Sequence, residues 1–296
     1  MRVFLTLALS FLILTPQNPT QPIPTSPPTL LPPPTVHIDD YRESTSRIIS
    51  AALKSDKAYQ RLAYLTDRIG NRLSGSKGLE RAIDWAVAEM KRDGLNNVRA
   101  EKVMVPHWVR GAESLELMSP LTLRLAMLGL GNSIGTETEG TTAEAVVVRS
   151  FDELDKLGEA VRGKIVVYNA VFTDYRDTVA YRVSGASRAA RYGAVAVLVR
   201  SITPTSLQSP HTGAMRYDET SPKIPAAAIT IETAELLQRM NDRGEHPTLR
   251  IKMGAKFLPD AQSANVVGEL KGREKADEIV LVSGHLDSWD VGQGAH

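Results

Sequence analysis

The run Ala194-Val-Ala-Val-Leu-Val199 is apolar at every position rather than at every second one. A strand written this way has no face suited to water, so it belongs inside a sheet covered on both sides, as parallel strands are in α/β folds. Working outward, short β-rich runs alternate with helical patterns. Strands are predicted at Ala145–Val148, Lys164–Tyr168, Ala226–Ile231 and Leu249–Met253, with helices over Phe151–Ala160, Ser184–Tyr192 and Ile231–Asn241. Alternation of this kind predicts an α/β class. Between them, Thr203–Pro225 carries Pro204, Pro210, Pro222 and Pro225 and no apolar period, which predicts a long loop.

On the N-terminal side, folded sequence is expected from Asp39, where charges return. Tyr41–Leu53 and Ala58–Ile69 read as helices, with Ile48, Ile49 and Leu53, then Leu62, Leu65 and Ile69, at three-to-four spacing. Gly70 supplies a stop, and Arg72-Leu-Ser-Gly75-Ser reads as a turn. Ser76 is the expected N-cap of a helix ending at Asp93-Gly94, whose apolar set is Leu79, Ile83, Val87 and Met90. Strands follow at Val98–Val105 and Leu115–Met118. On the C-terminal side, Ser263–Gly268 and Glu278–Ser283 read as strands joined by the solvated turn Lys271–Asp277. Ile279-Val-Leu-Val-Ser283 is again unbroken, so a central position is expected for it.

The 296 residues carry 35 basic and 34 acidic side chains, a net charge of +1 without local clusters. That balance gives no field to recruit nucleic acid or an acidic membrane face. The absence of cysteine excludes a disulfide scaffold, a thiolate zinc site, a cysteine nucleophile and a lipid-modified cysteine, so any nucleophile or ligand must be oxygen or nitrogen. Between Val3 and Ile38 there is no Asp, Glu, Lys or Arg. Arg2 followed by the apolar run Val3–Leu14 reads as a signal peptide, residues 1–15, too short to span a bilayer and hence no stable membrane anchor. Nine prolines between Pro16 and Pro34 make residues 16–38 a Pro-rich linker. An exported protein, secreted or periplasmic, is expected.

The residues with the sharpest chemistry follow the last strand: Gly284-His285-Leu286-Asp287-Ser288-Trp289-Asp290-Val291-Gly292-Gln293-Gly294-Ala295-His296. Ligands in open α/β sheets bind beyond the carboxyl ends of strands, where His285 falls. A neutral imidazole can ligate zinc through one ring nitrogen while donating the other N–H to a carboxylate, and Asp287 is spaced to accept it. The same His-x-Asp spacing also fits a satisfied surface pair.

Residues 284–295 resemble the first zinc-ligand motif of the carboxypeptidase Q family, a branch of the two-zinc aminopeptidase/carboxypeptidase superfamily. Gly75–Trp85, Pro106–Gly111, Gly193-Ala-Val-Ala, Arg200-Ser201, Pro210–Gly213 and Ile224–Ile229 resemble the family as well, so the resemblance covers about residues 40–296. It implies a zinc-exopeptidase-type α/β/α sheet domain built from residues 39–124 and 255–296. Into it residues 125–254 are inserted as a protease-associated, β-rich α/β domain. It implies His285 as a zinc ligand and Asp287 as the acidic residue that orients it. The implied activity is hydrolysis of dipeptides or short peptides by zinc-activated water, with two zinc ions per complete catalytic domain and a homodimeric assembly. In the family a metal-bridging carboxylate follows the stretch that ends here, and the general-base Glu and other ligands lie further on. One His and one Asp cannot hold two zinc ions, since each needs about three protein ligands. The chain is therefore expected to be an N-terminal fragment, inactive by itself.

Two other readings stand beside this one: a non-catalytic binding ectodomain with a peptidase-like fold, against which the retained pair His285 and Asp287 argues, and an aminopeptidase acting on longer peptides. Gly131-Asn-Ser133-Ile-Gly135 matches a nucleophile elbow, but the residues after it, Thr136–Thr142, make a poor helix. His211 reads as a loop histidine. His37, His107 and His246 have no carboxylate at ligand spacing, and Trp85 and Trp108 read as core or interface residues.

Overall fold

A computed structural model describes residues 2–5, 37–205 and 208–296. Most of the apolar leader and the Pro-rich stretch lie outside these residues. In chain order the elements begin β1 (Arg2–Leu5), α1 (Arg42–Leu53), α2 (Lys57–Tyr64), α3 (Lys77–Arg92), β2 (Asn96–Val109), β3 (Glu113–Ser119), β4 (Leu123–Leu125), β5 (Met127–Gly129) and β6 (Thr141–Val148). They continue with α4 (Phe151–Leu157), β7 (Ile165–Tyr168), α5 (Tyr175–Arg191), β8 (Ala196–Arg200), β9 (Ala226–Ile229), α6 (Ile231–Asp242), β10 (Thr248–Met253), β11 (Lys256–Leu270) and β12 (Ile279–Val282). A 3-10 turn precedes α1, and a π-helical turn, Leu65–Ile69, prolongs α2. Among the described residues no helix is long and apolar enough to cross a membrane.

The chain forms two compact units. One comprises Met1–Leu73, Lys77–Lys102 and Ala264–His296; the other comprises Ser74–Ser76 and Val103–Ser263.

The second unit holds an eight-stranded sheet in the order β4-β3-β10-β6-β7-β8-β9-β5. Its centre, β6-β7-β8-β9, is parallel, and the strands outside that block pair antiparallel. Every residue of β7 and β9 is buried, as are Ala196–Val199 of β8, in keeping with strands that have no polar face. Alternation sends Val166, Tyr168, Val197, Val199, Ala226 and Ala228 to one side, where Leu154 of α4 and Ala186, Ala189 and Ala190 of α5 complete a core. On the other side α6 packs against β6 and β8. The helices start where the chain supplies caps: Ser150, Asp174 and Thr230 accept from the backbone N–H of Glu153, Asp177 and Thr233. α5 begins nine residues before the predicted Ser184, because Asp174 caps a polar first half whose Thr178 and Arg182 are nonetheless buried. β4 and β5, three residues each, carry too short a pattern to be predicted.

The first unit contains a four-stranded sheet, β12-β1-β11-β2, with β1 parallel to β12 and antiparallel to β11. Leu79, Ile83 and Ala86 of α3 pack with Val266 of β11 into a small core. The expected central position of Ile279–Val282 is not what the structure shows: β12 is an edge strand whose four residues are all exposed. The periodic Ile48, Ile49 and Leu53 of α1 are exposed likewise. Their pattern is that of covered elements, and the described residues offer no layer over them.

Leu198, fully buried in β8, has packed neighbours on its whole surface. Leu198→Ala should cost about 2–5 kcal/mol, read as a lowered urea midpoint at unchanged m-value. Glu144 on β6 accepts from Lys164 Nζ at 2.8 Å and pairs with His246 Nδ1 at 2.9 Å, and these two partners, Lys164 first, hold its carboxyl below the ordinary carboxylate range. A depressed carboxyl contributes stability that is present above the unfolded value of about 4.3 and is lost as pH falls through the lower folded value. Glu144→Gln should therefore lower stability at neutral pH, flatten the acid limb of a stability-versus-pH curve and leave stability below the folded value little changed.

Candidate metal-ligand loop

Beyond β12 the chain runs from Ser283 to His296 without regular secondary structure. In extended backbone successive side chains point to opposite sides. Leu286 accordingly turns inward onto the core of Leu79, Ile83, Ala86 and Val266, while its neighbours His285 and Asp287 meet. His285 Nδ1 lies 2.9 Å from Asp287 Oδ1, with the imidazole 74% exposed and the carboxylate 22% exposed. Since a carboxylate can only accept, Nδ1 carries the proton in the neutral ring. The Nε2 lone pair then stands free, which is the form in which histidine binds a metal ion.

The loop is anchored by the segment that follows the π-helical turn. Arg72 and Ser288 exchange two bonds: the Arg72 amide donates to Ser288 Oγ and the Ser288 amide to the Arg72 carbonyl, each at 3.0 Å. Asn71 Nδ2 donates to the Asp290 carbonyl at 2.8 Å. The Arg72 guanidinium is buried and donates through Nε to the Leu286 carbonyl at 2.9 Å and through Nη1 to the Gly70 carbonyl at 2.7 Å. Burial holds this guanidinium below its ordinary pKa, and the nearby Asp287 carboxylate opposes that effect. Gly294, at φ +77°, closes the loop against the same place: a Cβ there would lie 2.6 Å from the Gly70 oxygen. A side chain at position 294 is thus excluded both by backbone conformation and by space.

The structure therefore brings His285 and Asp287 together as the sequence predicted. It adds Asn71, Arg72 and Ser288, which sequence inspection did not single out; the segment around Arg72 reads simply as a turn. His246, to which no carboxylate was assigned, does have one in Glu144, a partner 102 residues away and invisible to local spacing. Glu144 also binds Lys164, so the pair completes a charge cluster. His211 donates its backbone N–H to Ser201 Oγ and holds its Nδ1 2.8 Å from the Ile202 carbonyl, pinning the long loop. Ser133 is fully buried and its hydroxyl lies between the Ala226 amide and the Ile134 carbonyl, the arrangement of a turn-forming serine. Trp108 is buried with its indole N–H on the Ser133 carbonyl, and Trp85 stacks on Tyr64 at 5.5 Å.

As donors for zinc, His285 and Asp287 fit one imidazole ligand and the carboxylate that orients it. Among the described residues there is no group of three or more His, Asp or Glu side chains that could hold a metal ion.

Carboxypeptidase Q from Bos taurus is 51% identical over 259 residues, which is 88% of this chain and 55% of the bovine protein. The chain is homologous to carboxypeptidase Q. The Homo sapiens protein is 51% identical over 240 residues, covering 81% of this chain and 51% of its own length. The chain thus spans about half the length of the curated relatives it matches. Residues 265–296, which include the loop, match the model for peptidase family M28. Among solved structures, a peptidase M28 precursor from Shewanella amazonensis SB2B is 35% identical with a TM-score of 0.82, over 88% of this chain and 60% of that one. The zinc aminopeptidase BSAP from Bacillus subtilis, at 21% identity and a TM-score of 0.59, shares the fold.

Asp287→Ala removes the acceptor that selects the Nδ1–H form of His285. At a pH where the ring is neutral, nitrogen-15 NMR should show the ring moving toward the Nε2–H tautomer that free imidazole side chains prefer in water, while the amide fingerprint of the eight-stranded sheet stays in place.

Proposed function

We propose that this chain is the N-terminal part of an exported, two-zinc exopeptidase of carboxypeptidase Q type, acting on dipeptides or short peptides. In this reading the peptidase domain, expected at residues 39–124 and 255–296, gives up β3 and β4 to the protease-associated insert, whose expected bounds 125–254 widen to take in the whole eight-stranded sheet, and residues 1–15, β1 included, are a signal peptide. The observation that carries it is the exposed His285 imidazole, oriented by Asp287 at the exit of a strand, within a sequence about half identical to carboxypeptidase Q. When bound, a zinc pair supplies a water that is ionised near neutral pH and stabilises the charge that builds up on the peptide oxygen. The chain's own part is narrower. His285 offers Nε2 as a donor, Asp287 keeps the proton on Nδ1, and Leu286 seats the backbone between them in the core.

That further chain completes the domain is supported by surfaces already described. Ile279, Val280, Leu281 and Val282 of β12, with Ile48, Ile49 and Leu53 of α1, are patterned for burial and are between 46% and 83% exposed. Elements of this character gain roughly 1.5–3 kcal/mol per large side chain when covered.

The test is to express the product of the entire reading frame that contains these residues and measure zinc content and release of amino acids from dipeptides. Peptides blocked at one end or the other would report which terminus is attacked. Two zinc ions per chain and hydrolysis abolished by chelation are expected, with Asp287→Ala weakening zinc affinity roughly 10–100-fold. Peptide binding without zinc and without hydrolysis would overturn the proposal in favour of a binding ectodomain.

A further inference from the structure

Arg72 is buried, yet the described hydrogen bonds of its guanidinium all go to backbone carbonyls: Leu286 at 2.9 Å, Gly70 at 2.7 Å and, more weakly, Leu65 at 3.5 Å. A buried cation is costly unless its donors are matched in a fixed geometry, and the planar fork of arginine is what allows several carbonyls to be held at once. The carbonyls are presented by a local irregularity. After α2 the backbone widens into the π-helical turn Leu65–Ile69, closed by the Gly70 amide on the Leu65 carbonyl at 2.7 Å. Gly70 then takes φ +77°, and its carbonyl and that of Leu65 both meet Arg72 Nη1. Turns of this width are frequent at functional sites. The fourth surface of the guanidinium is the end of the loop, where a Cβ on Gly294 would stand 2.9 Å from Nη1.

Arg72 therefore touches the loop at its start, through Leu286, and at its end, beside Gly294, while its backbone pairs with Ser288 between them. Leu286 is the one residue separating His285 from Asp287. We propose that Arg72 is a positioning residue for His285: by fixing the Leu286 carbonyl it holds the two flanking side chains at the separation that keeps Nδ1 protonated and Nε2 free. The purpose of that arrangement rests on His285 being a metal ligand, as proposed above, but the arrangement itself does not. A lysine at position 72 would keep the charge and lose the fork, since one ammonium cannot replace Nε on Leu286 and Nη1 on Gly70 together.

The experiment uses the metal-free 296-residue chain, so that its outcome is separate from whether the longer protein binds zinc. Amide hydrogen exchange is followed at Ser288, whose N–H is bonded to the Arg72 carbonyl, and nitrogen-15 NMR reports the tautomer of His285. In Arg72→Lys, exchange at Ser288 should quicken about tenfold and the Nδ1–H signature of His285 should weaken, with exchange in β7 and β8 unchanged. In Arg72→Ala, methylguanidinium below denaturing concentration should restore both signals, whereas methylammonium should not. Wild-type exchange and tautomer in Arg72→Lys would overturn the proposal. So would a loss in Arg72→Ala that spreads through the whole first unit and does not respond to methylguanidinium, because Arg72 would then be a fold-stabilising residue only.

Discussion

Backbone groups removed from water must find partners, and this requirement shapes the protein at two scales. In the eight-stranded sheet it is met by repetition: β6 to β9 pair in parallel register, leaving only side chains to be covered. In the loop after β12 there is no ladder to repeat, so the carbonyls of Leu286 and Asp290 and the amide of Ser288 are met one by one by the segment Gly70–Arg72. The second solution is more demanding of sequence. It needs a glycine at 70, an arginine at 72, a serine at 288 and a glycine at 294, each for a different reason. What it provides is a rigid, irregular platform from which His285 projects into solvent with its partner already in place.

Much of the sheet was legible in the sequence because burial on both faces leaves a coarse signature. Ala194–Val199 cannot be written that way by a solvent-facing strand. The first half of α5 was not legible because the pattern there is polar: Arg182 is buried through a hydrogen bond to Tyr175 and stacking on its ring, a solution that hydrophobic periodicity does not encode. The pair His285 and Asp287 was legible because its two members are neighbours in an extended segment. Arg72 was not, since its partners Leu286 and Gly294 lie more than two hundred residues away and contribute main-chain atoms, which leave no mark in residue type.

Pattern and environment disagree on α1 and β12, and the disagreement is informative. Helix α1 has apolar residues spaced for one buried face, and β12 is apolar throughout, yet both lie open. Selection for solubility works against such surfaces unless something covers them. The curated relatives are longer than this chain, which spans about half of their length, so the proposed domain has polypeptide available to do so. The protease-associated reading of the other unit faces no such tension. Its parallel core is complete, with both faces of β7, β8 and β9 buried by residues of that same unit.

The two-residue spacing of His285 and Asp287 is common enough in proteins to mean little by itself. Its weight here comes from three constraints acting at once. The residue between them is apolar and has a core to enter, which forces the flanking side chains to the same side. A buried cation holds the intervening carbonyl, so the backbone cannot relax that geometry. The imidazole remains three-quarters exposed, so the ring is oriented without being consumed by the fold. A histidine kept only for packing would be buried, and one kept only for surface charge would need neither a locked backbone nor a chosen tautomer. Orientation combined with exposure is what the proposed ligand role requires of His285, and it is built here from main-chain contacts on one side and a single carboxylate on the other.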